Sequence, residues 1–84
     1  MNVTVEISMY PLTSDYLRGI VDFIEALNSH PELEVLTNPT STQIFGDYAT
    51  VMSLLSREMQ MAHESGEQAA FVMKVLGGDV RPVS

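Results

Sequence analysis

The sequence predicts an α+β domain in which four strands and two helices follow one another as βαββαβ. Three observations predict it. Apolar residues alternate with a period of two over residues 2–10. They recur at helical spacing over two later stretches, and a pair of short runs between those stretches, the second hydroxyl-rich, is broken only by Asn38-Pro39.

In the first run Val3, Val5, Ile7 and Met9 point one way, and Thr4, Glu6, Ser8 and Tyr10 the other, so Asn2 to Tyr10 reads as a strand that Pro11 ends. Thr13 or Ser14 is expected to cap the first helix, with Asp15 in its first turn. Leu17, Ile20, Val21, Ile24 and Leu27 form its apolar stripe, flanked by Phe23. Gly19, about 1 kcal/mol worse than Ala inside a helix, fits a close approach of helix to sheet. Asn28-Ser29-His30-Pro31 closes the helix, because a residue before proline is pushed out of the α region.

Glu32 to Thr37 and Thr40 to Phe45 read as two strands of an antiparallel hairpin. Gly46-Asp47 opens a second helix with Asp47 as its cap, a stripe of Tyr48, Val51, Met52, Leu55, Met59 and Ala62, and Gly66 just beyond its end. Gln68 to Leu76 is the last strand. Strands flanking a helix usually run parallel through a right-handed crossover. Two such units joined by a hairpin give the ferredoxin-like arrangement, a four-stranded antiparallel sheet with both helices on one face. Residues 1–76 form this single domain and residues 77–84 a tail. No iron–sulfur cluster is implied, since the chain has no cysteine.

One sheet face is then bare. It carries Thr4, Glu6, Ser8 and Tyr10, and, if Thr42 and Ile44 face the helices, Ser41, Gln43 and Phe45 as well. The last strand is apolar on both sides, with Phe71, Met73 and Val75 on one and Ala70, Val72 and Leu76 on the other. Such a strand calls for burial on both sides. An 84-residue chain with no disulfide has a marginal core. Both points predict a homo-oligomer, a dimer or tetramer, meeting through the bare face.

Composition narrows the function classes. Seven net negative charges and only four Lys or Arg residues argue against nucleic-acid binding. The first ten residues lack a basic n-region and an apolar h-region, and no apolar run approaches the ~20 residues a membrane span needs. Absence of cysteine fits a reducing cytoplasm. His30 and His63 share no paired-ligand spacing, so no metal is expected; both read as histidines at helix ends. Met52, Met59 and Met61 read as core fillers. No P-loop, G-x-G-x-x-G or G-x-S-x-G motif occurs, and no cofactor or catalytic residue is expected.

Two stretches stand out. Ser8-Met9-Tyr10-Pro11-Leu12 ends the first strand with hydroxyls on one face. Ser41-Thr42-Gln43-Ile44-Phe45-Gly46-Asp47 runs a hydroxyl-rich strand into a helix start. In a sheet where these strands are neighbours, their polar groups come within one small ligand's reach, though strand-end polarity and a helix cap account for them equally simply. With Asp15-Tyr16, the same residues carry a resemblance: over residues 3–76 the chain resembles the YkoF-type thiamine/hydroxymethylpyrimidine-binding proteins, and more distantly the wider thiamine-binding group of small ferredoxin-like proteins. The resemblance implies a non-catalytic protein that binds thiamine, its pyrimidine precursor or a similar heterocycle. YkoF-type chains carry two tandem copies of the domain, whereas one copy stands here, so a dimer would supply the pair. The polar set expected to bind is Ser8, Tyr10, Ser41 and Thr42, with Glu6 or Asp47 for negative charge and Phe45 for an aromatic surface. The alternative is an assembly module whose sheet face serves oligomerisation alone.

Overall fold

The structure, a computed structural model, describes residues 1–66 and 68–82. Six elements appear in the expected order: β1 (Asn2–Pro11), α1 (Tyr16–Asn28), β2 (Glu34–Thr37), β3 (Thr42–Asp47), α2 (Tyr48–Glu64) and β4 (Ala69–Gly77). The sheet order is β2-β3-β1-β4 with every neighbouring pair antiparallel. This is the ferredoxin-like fold.

The alternation in β1 does what it predicts. Val3, Val5 and Ile7 are buried under the helices with Ile44 of β3, and Phe23, Leu27, Val51 and Leu55 close over them. Across the sheet, Val5 faces Ile44 on one side and Val75 on the other, so these three side chains share the helix-covered face. The opposite face carries Thr4 beside Phe45 and Leu76, Glu6 beside Gln43 and Lys74, and then Ser8 beside Val72 and Tyr10 beside Ala70.

The helices depart from expectation in informative ways. Asp15, not Thr13 or Ser14, holds the α1 N-cap position, and its side chain makes no capping bond. The α1 stripe is also rotated: Gly19, Phe23 and Leu27 are buried, while Leu17 and Val21 are exposed. A helix turns about 100° per residue, so an i, i+4, i+8 row through Phe23 aims the largest ring at the core and leaves Leu17 and Val21 outside. In α2 the row Val51, Leu55, Glu58 is buried, with a carboxylate where an apolar residue is the rule; Tyr48 is exposed. Asp47 caps α2 as expected, accepting from the Thr50 amide at 3.3 Å and the Thr50 hydroxyl at 3.2 Å. Those two bonds hold its carboxyl below the ordinary range. Gly66 ends the helix with φ at 92°, a conformation that favours glycine.

β3 runs two residues further than predicted and enters α2 with no loop. The Gly46 Cα opposite Val3 makes this junction fit, for a Cβ there would lie 3.0 Å from Val51 Cγ2. β4 is not buried on both sides within one chain. Met73, Val75, Val72 and Leu76 are all well exposed, because β4 is an edge strand over which the helices reach only as far as Phe71.

The expected tail has a defined course as far as residue 82; residues 83 and 84 lie outside the described residues. After Gly77 the chain turns back across the bare face. Thr4 donates its hydroxyl to the Gly78 carbonyl at 2.8 Å and accepts from the Val80 amide at 3.2 Å. Arg81 lies over the Phe45 ring, 4.3 Å from its centroid, and pairs with Asp79 and with Glu34 of β2. This strap spans the sheet from β4 to β2 at one end of the bare face.

Candidate functional site

The strap divides the predicted site residues into two groups. Phe45 is 3% exposed and Thr4 1% exposed, both sealed beneath residues 78–81. Arg81 hydrogen bonds hold the Asp79 carboxyl at about 2, well below its ordinary value, and Asp79 and Glu34 in turn raise Arg81. The Asp79–Arg81 attachment is thus complete above the ordinary carboxylate range and is lost only as pH falls through about 2. Asp47 stands at the same end, opposite Asn2. Tyr10 is eight residues further along β1, about 27 Å at ~3.4 Å per residue. The fold therefore keeps Phe45 and Asp47 apart from Ser8 and Tyr10.

Glu6 occupies the middle of the bare face. It lies 3.4 Å from Lys74 Nζ and accepts from the Ser41 hydroxyl at 3.1 Å. Its negative charge is already partnered across two strands. Ser8 donates to the Thr40 carbonyl at 3.2 Å, which ties the end of β1 to the β2–β3 connection.

The remaining residues do converge, at the end of β1 where α1 begins. Two adjoining cavities sit there, between helix and sheet. The inner one, about 100 Å³, is lined by Ile7, Ser8, Met9, Ile20, Phe23, Ile24 and the segment Asn38-Pro39-Thr40-Ser41-Thr42. The outer one, about 400 Å³, is lined by Met9, Tyr10, Pro11, Tyr16, Ile20 and Thr40. Met9, Ile20 and Thr40 belong to both, so the two form one cleft.

Local sequence explains the cleft. Pro11 carries the last β1 pairing, and Leu12 adds a 2.7 Å bond to the Gln68 carbonyl before the chain lifts away toward Tyr16. Asn38-Pro39 turns β2 into β3, fastened by Asn38 N–H to the Ser41 carbonyl at 2.8 Å. That turn sets hydroxyls opposite the apolar flank of α1. Thr42 is buried on the helix-facing side, paired with Ile7, so it belongs to the cleft rather than the bare face. Apolar walls with a few convergent polar groups are what a small-molecule site requires. Ser8, Tyr10, Ser41 and Thr42 all line this cleft; Glu6 stands beside it on the bare face.

Sequence reasoning missed a further pair. His30, just past α1, places Nε2 2.7 Å from Glu58 Oε2, and both side chains are largely buried. The available signal was Glu58 itself, seven residues after Val51 on the α2 stripe. Phe71 of β4 packs between Phe23 and His63, with ring centroids at 4.9 and 5.3 Å. Among the described residues no three His, Cys, Asp or Glu side chains gather as a metal site, and no helix is long and apolar enough to cross a membrane.

Comparison with known proteins places this geometry in context. Residues 2–76 match the model of the YKOF-related Family. No curated protein matches the chain. Among solved structures, a Streptococcus pneumoniae protein superimposes with a TM-score of 0.85 at 20% identity, covering 95% of this chain and 90% of that one. A Thermotoga maritima protein, described as a candidate thiamine biosynthesis/salvage protein, gives 0.80 at 19% identity over 89% of this chain and 82% of that one. A Bacillus cereus domain of unknown function gives 0.72 at 17% identity, covering 100% and 83%.

Proposed function

The chain belongs to the YKOF-related family, and from that premise we propose that it is a non-catalytic cytoplasmic protein that binds thiamine, hydroxymethylpyrimidine or a similar heterocycle. The observation that carries the reading is the cleft beside the α1 N-terminus, where the apolar flank of α1 faces the buried Thr42 and the Asn38–Ser41 turn, with Ser8 and Tyr10 at its β1 edge. The thiamine description of the Thermotoga maritima structure supports the ligand class. An aminopyrimidine offers ring nitrogens that accept and an exocyclic amine that donates, and hydroxyls serve both needs. The inner cavity takes the edge of the ring and the outer one its substituent. Because Lys74 already neutralises Glu6, the neutral pyrimidine rather than a thiazolium is the group bound there.

Thr42 is the test residue, since Val keeps its branched shape in the strand and removes only the hydroxyl. Losing one neutral hydrogen bond costs about 0.5–1.5 kcal/mol, so Thr42→Val weakens hydroxymethylpyrimidine roughly 2- to 13-fold in titration calorimetry. Unchanged affinity excludes the inner cavity.

The protein works as a homo-oligomer in this reading. β4 is a nine-residue edge strand with apolar residues exposed on both sides, a surface that invites pairing. The strap covers the far end of the bare face, which leaves Ser8, Tyr10, Ala70 and Val72 for the partner. An assembly module with no ligand would use the same surface and would show no binding in the calorimetry above.

A further inference from the structure

A further cavity lies between α1 and α2, sharing the Met9 and Phe23 walls with the cleft but otherwise lined mainly by residues of the two helices. It measures about 460 Å³, inside the range of roughly 300–1,000 Å³ typical of small-molecule sites. Three small residues keep it open: Gly19 and Ala26 on α1, and Ala62 on α2. The groove opens to solvent, and its floor carries one buried polar group.

That group is Glu58. It is only 9% exposed, yet it lines this groove. A buried carboxylate is costly unless its oxygens are satisfied. His30 takes Oε2 at 2.7 Å. Among the described residues no polar side-chain atom sealed from solvent lacks a partner. The second Glu58 oxygen accepts no hydrogen bond from the described residues and so opens onto the groove that Glu58 lines. Nearby walls are soft and aromatic: Met9, Met61 and Phe23. Arg18 and Asp22 also line the groove, 4.0 Å apart, so the Asp22 charge is met by its neighbour one turn away and Glu58 is the carboxylate left for a ligand. The chain as a whole carries seven net negative charges, which favours cations at its surface.

We propose that the α1–α2 groove binds a small organic monocation, an amidinium or primary ammonium on an apolar or aromatic body. The cationic N–H groups donate to the free Glu58 oxygen, and the body lies against Phe23 and the two methionines, a setting that suits a cation beside an aromatic face. With His30 donating its Nε2 proton to the other oxygen, the carboxylate stays fixed in position as the cation arrives.

Titration calorimetry on the full chain with benzamidine and its neutral counterpart benzamide tests this. One benzamidine is expected to bind per chain, with benzamide at least about tenfold weaker. Glu58→Gln keeps the shape and an acceptor for His30 while removing the charge, and is expected to weaken benzamidine roughly 10- to 100-fold, the range for a hydrogen bond to a charged group. Amide resonances of Gly19, Ala26 and Ala62 are expected to shift in the wild-type chain. Absence of benzamidine binding into the millimolar range overturns the proposal. So do equal affinities for the two compounds, an unaffected Glu58→Gln, or shifts confined to other elements. The wild-type comparisons decide the matter even if Glu58→Gln fails to fold.

Discussion

Val72→Asp is expected to leave a protein that sediments as a 9.3 kDa monomer at micromolar concentration, where the wild type sediments as a dimer or larger. Val72 is 59% exposed on the bare face, directly opposite Ser8 and beyond the reach of the strap. In an interface between copies it would be among the most buried apolar groups. An uncompensated charge buried there costs about 3–5 kcal/mol, and a two-fold interface contains two of them. A domain this small buries only a modest share of its surface, so losing the partner also lowers the melting temperature and removes its dependence on protein concentration. A wild-type chain that sediments only at 9.3 kDa contradicts the homo-oligomer.

The largest effect on the stability of one chain is expected from His30→Ala. The substitution leaves Glu58 buried without its one partner among the described residues. Breaking a buried pair by removing one member costs about 3–5 kcal/mol. His30 retains some exposure, so a loss near 3 kcal/mol is the better figure, roughly 12–24 °C in melting temperature for a domain of this size. The double substitution His30→Ala with Glu58→Leu is expected to recover most of the loss, because it removes the stranded carboxylate as well. A loss below about 1 kcal/mol in His30→Ala means that water in the groove satisfies Glu58, and that the pair does not hold α1 against α2.

The pattern of agreement between sequence and structure follows from the range over which each signal acts. The alternation of β1, the Asp47 cap and Gly66 are set by neighbours within a few residues, and all three stand as read. The rotation of α1 was hidden because Leu17, Ile20, Val21 and Ile24 make a wide apolar arc, and only contact with β1 and α2 decides which edge of it is buried. The two-sided apolar pattern of β4 marked exposed surface rather than burial within the chain, since an apolar pattern alone does not say what covers it. Ser8, Tyr10, Ser41 and Thr42 were legible as a group because the topology makes β1 and β3 antiparallel neighbours, which brings the end of β1 beside the start of β3. Phe45 is sealed by Arg81, thirty-six residues away in the chain, and no local pattern announces that contact. The same holds for His30 and Glu58, which are joined only by the packing of α1 against α2.

Binding of a pyrimidine in the cleft is tested most directly by titrating hydroxymethylpyrimidine into the wild-type chain while following its backbone amide resonances. The cleft places the ring between the β2–β3 turn and α1, so the largest shifts are expected at Asn38, Thr40, Ser41 and Thr42 and at Ile20 and Ile24. Saturation of those resonances with a single affinity is the predicted result. A spectrum unchanged into the millimolar range, or shifts restricted to β4 and the strap, would contradict it.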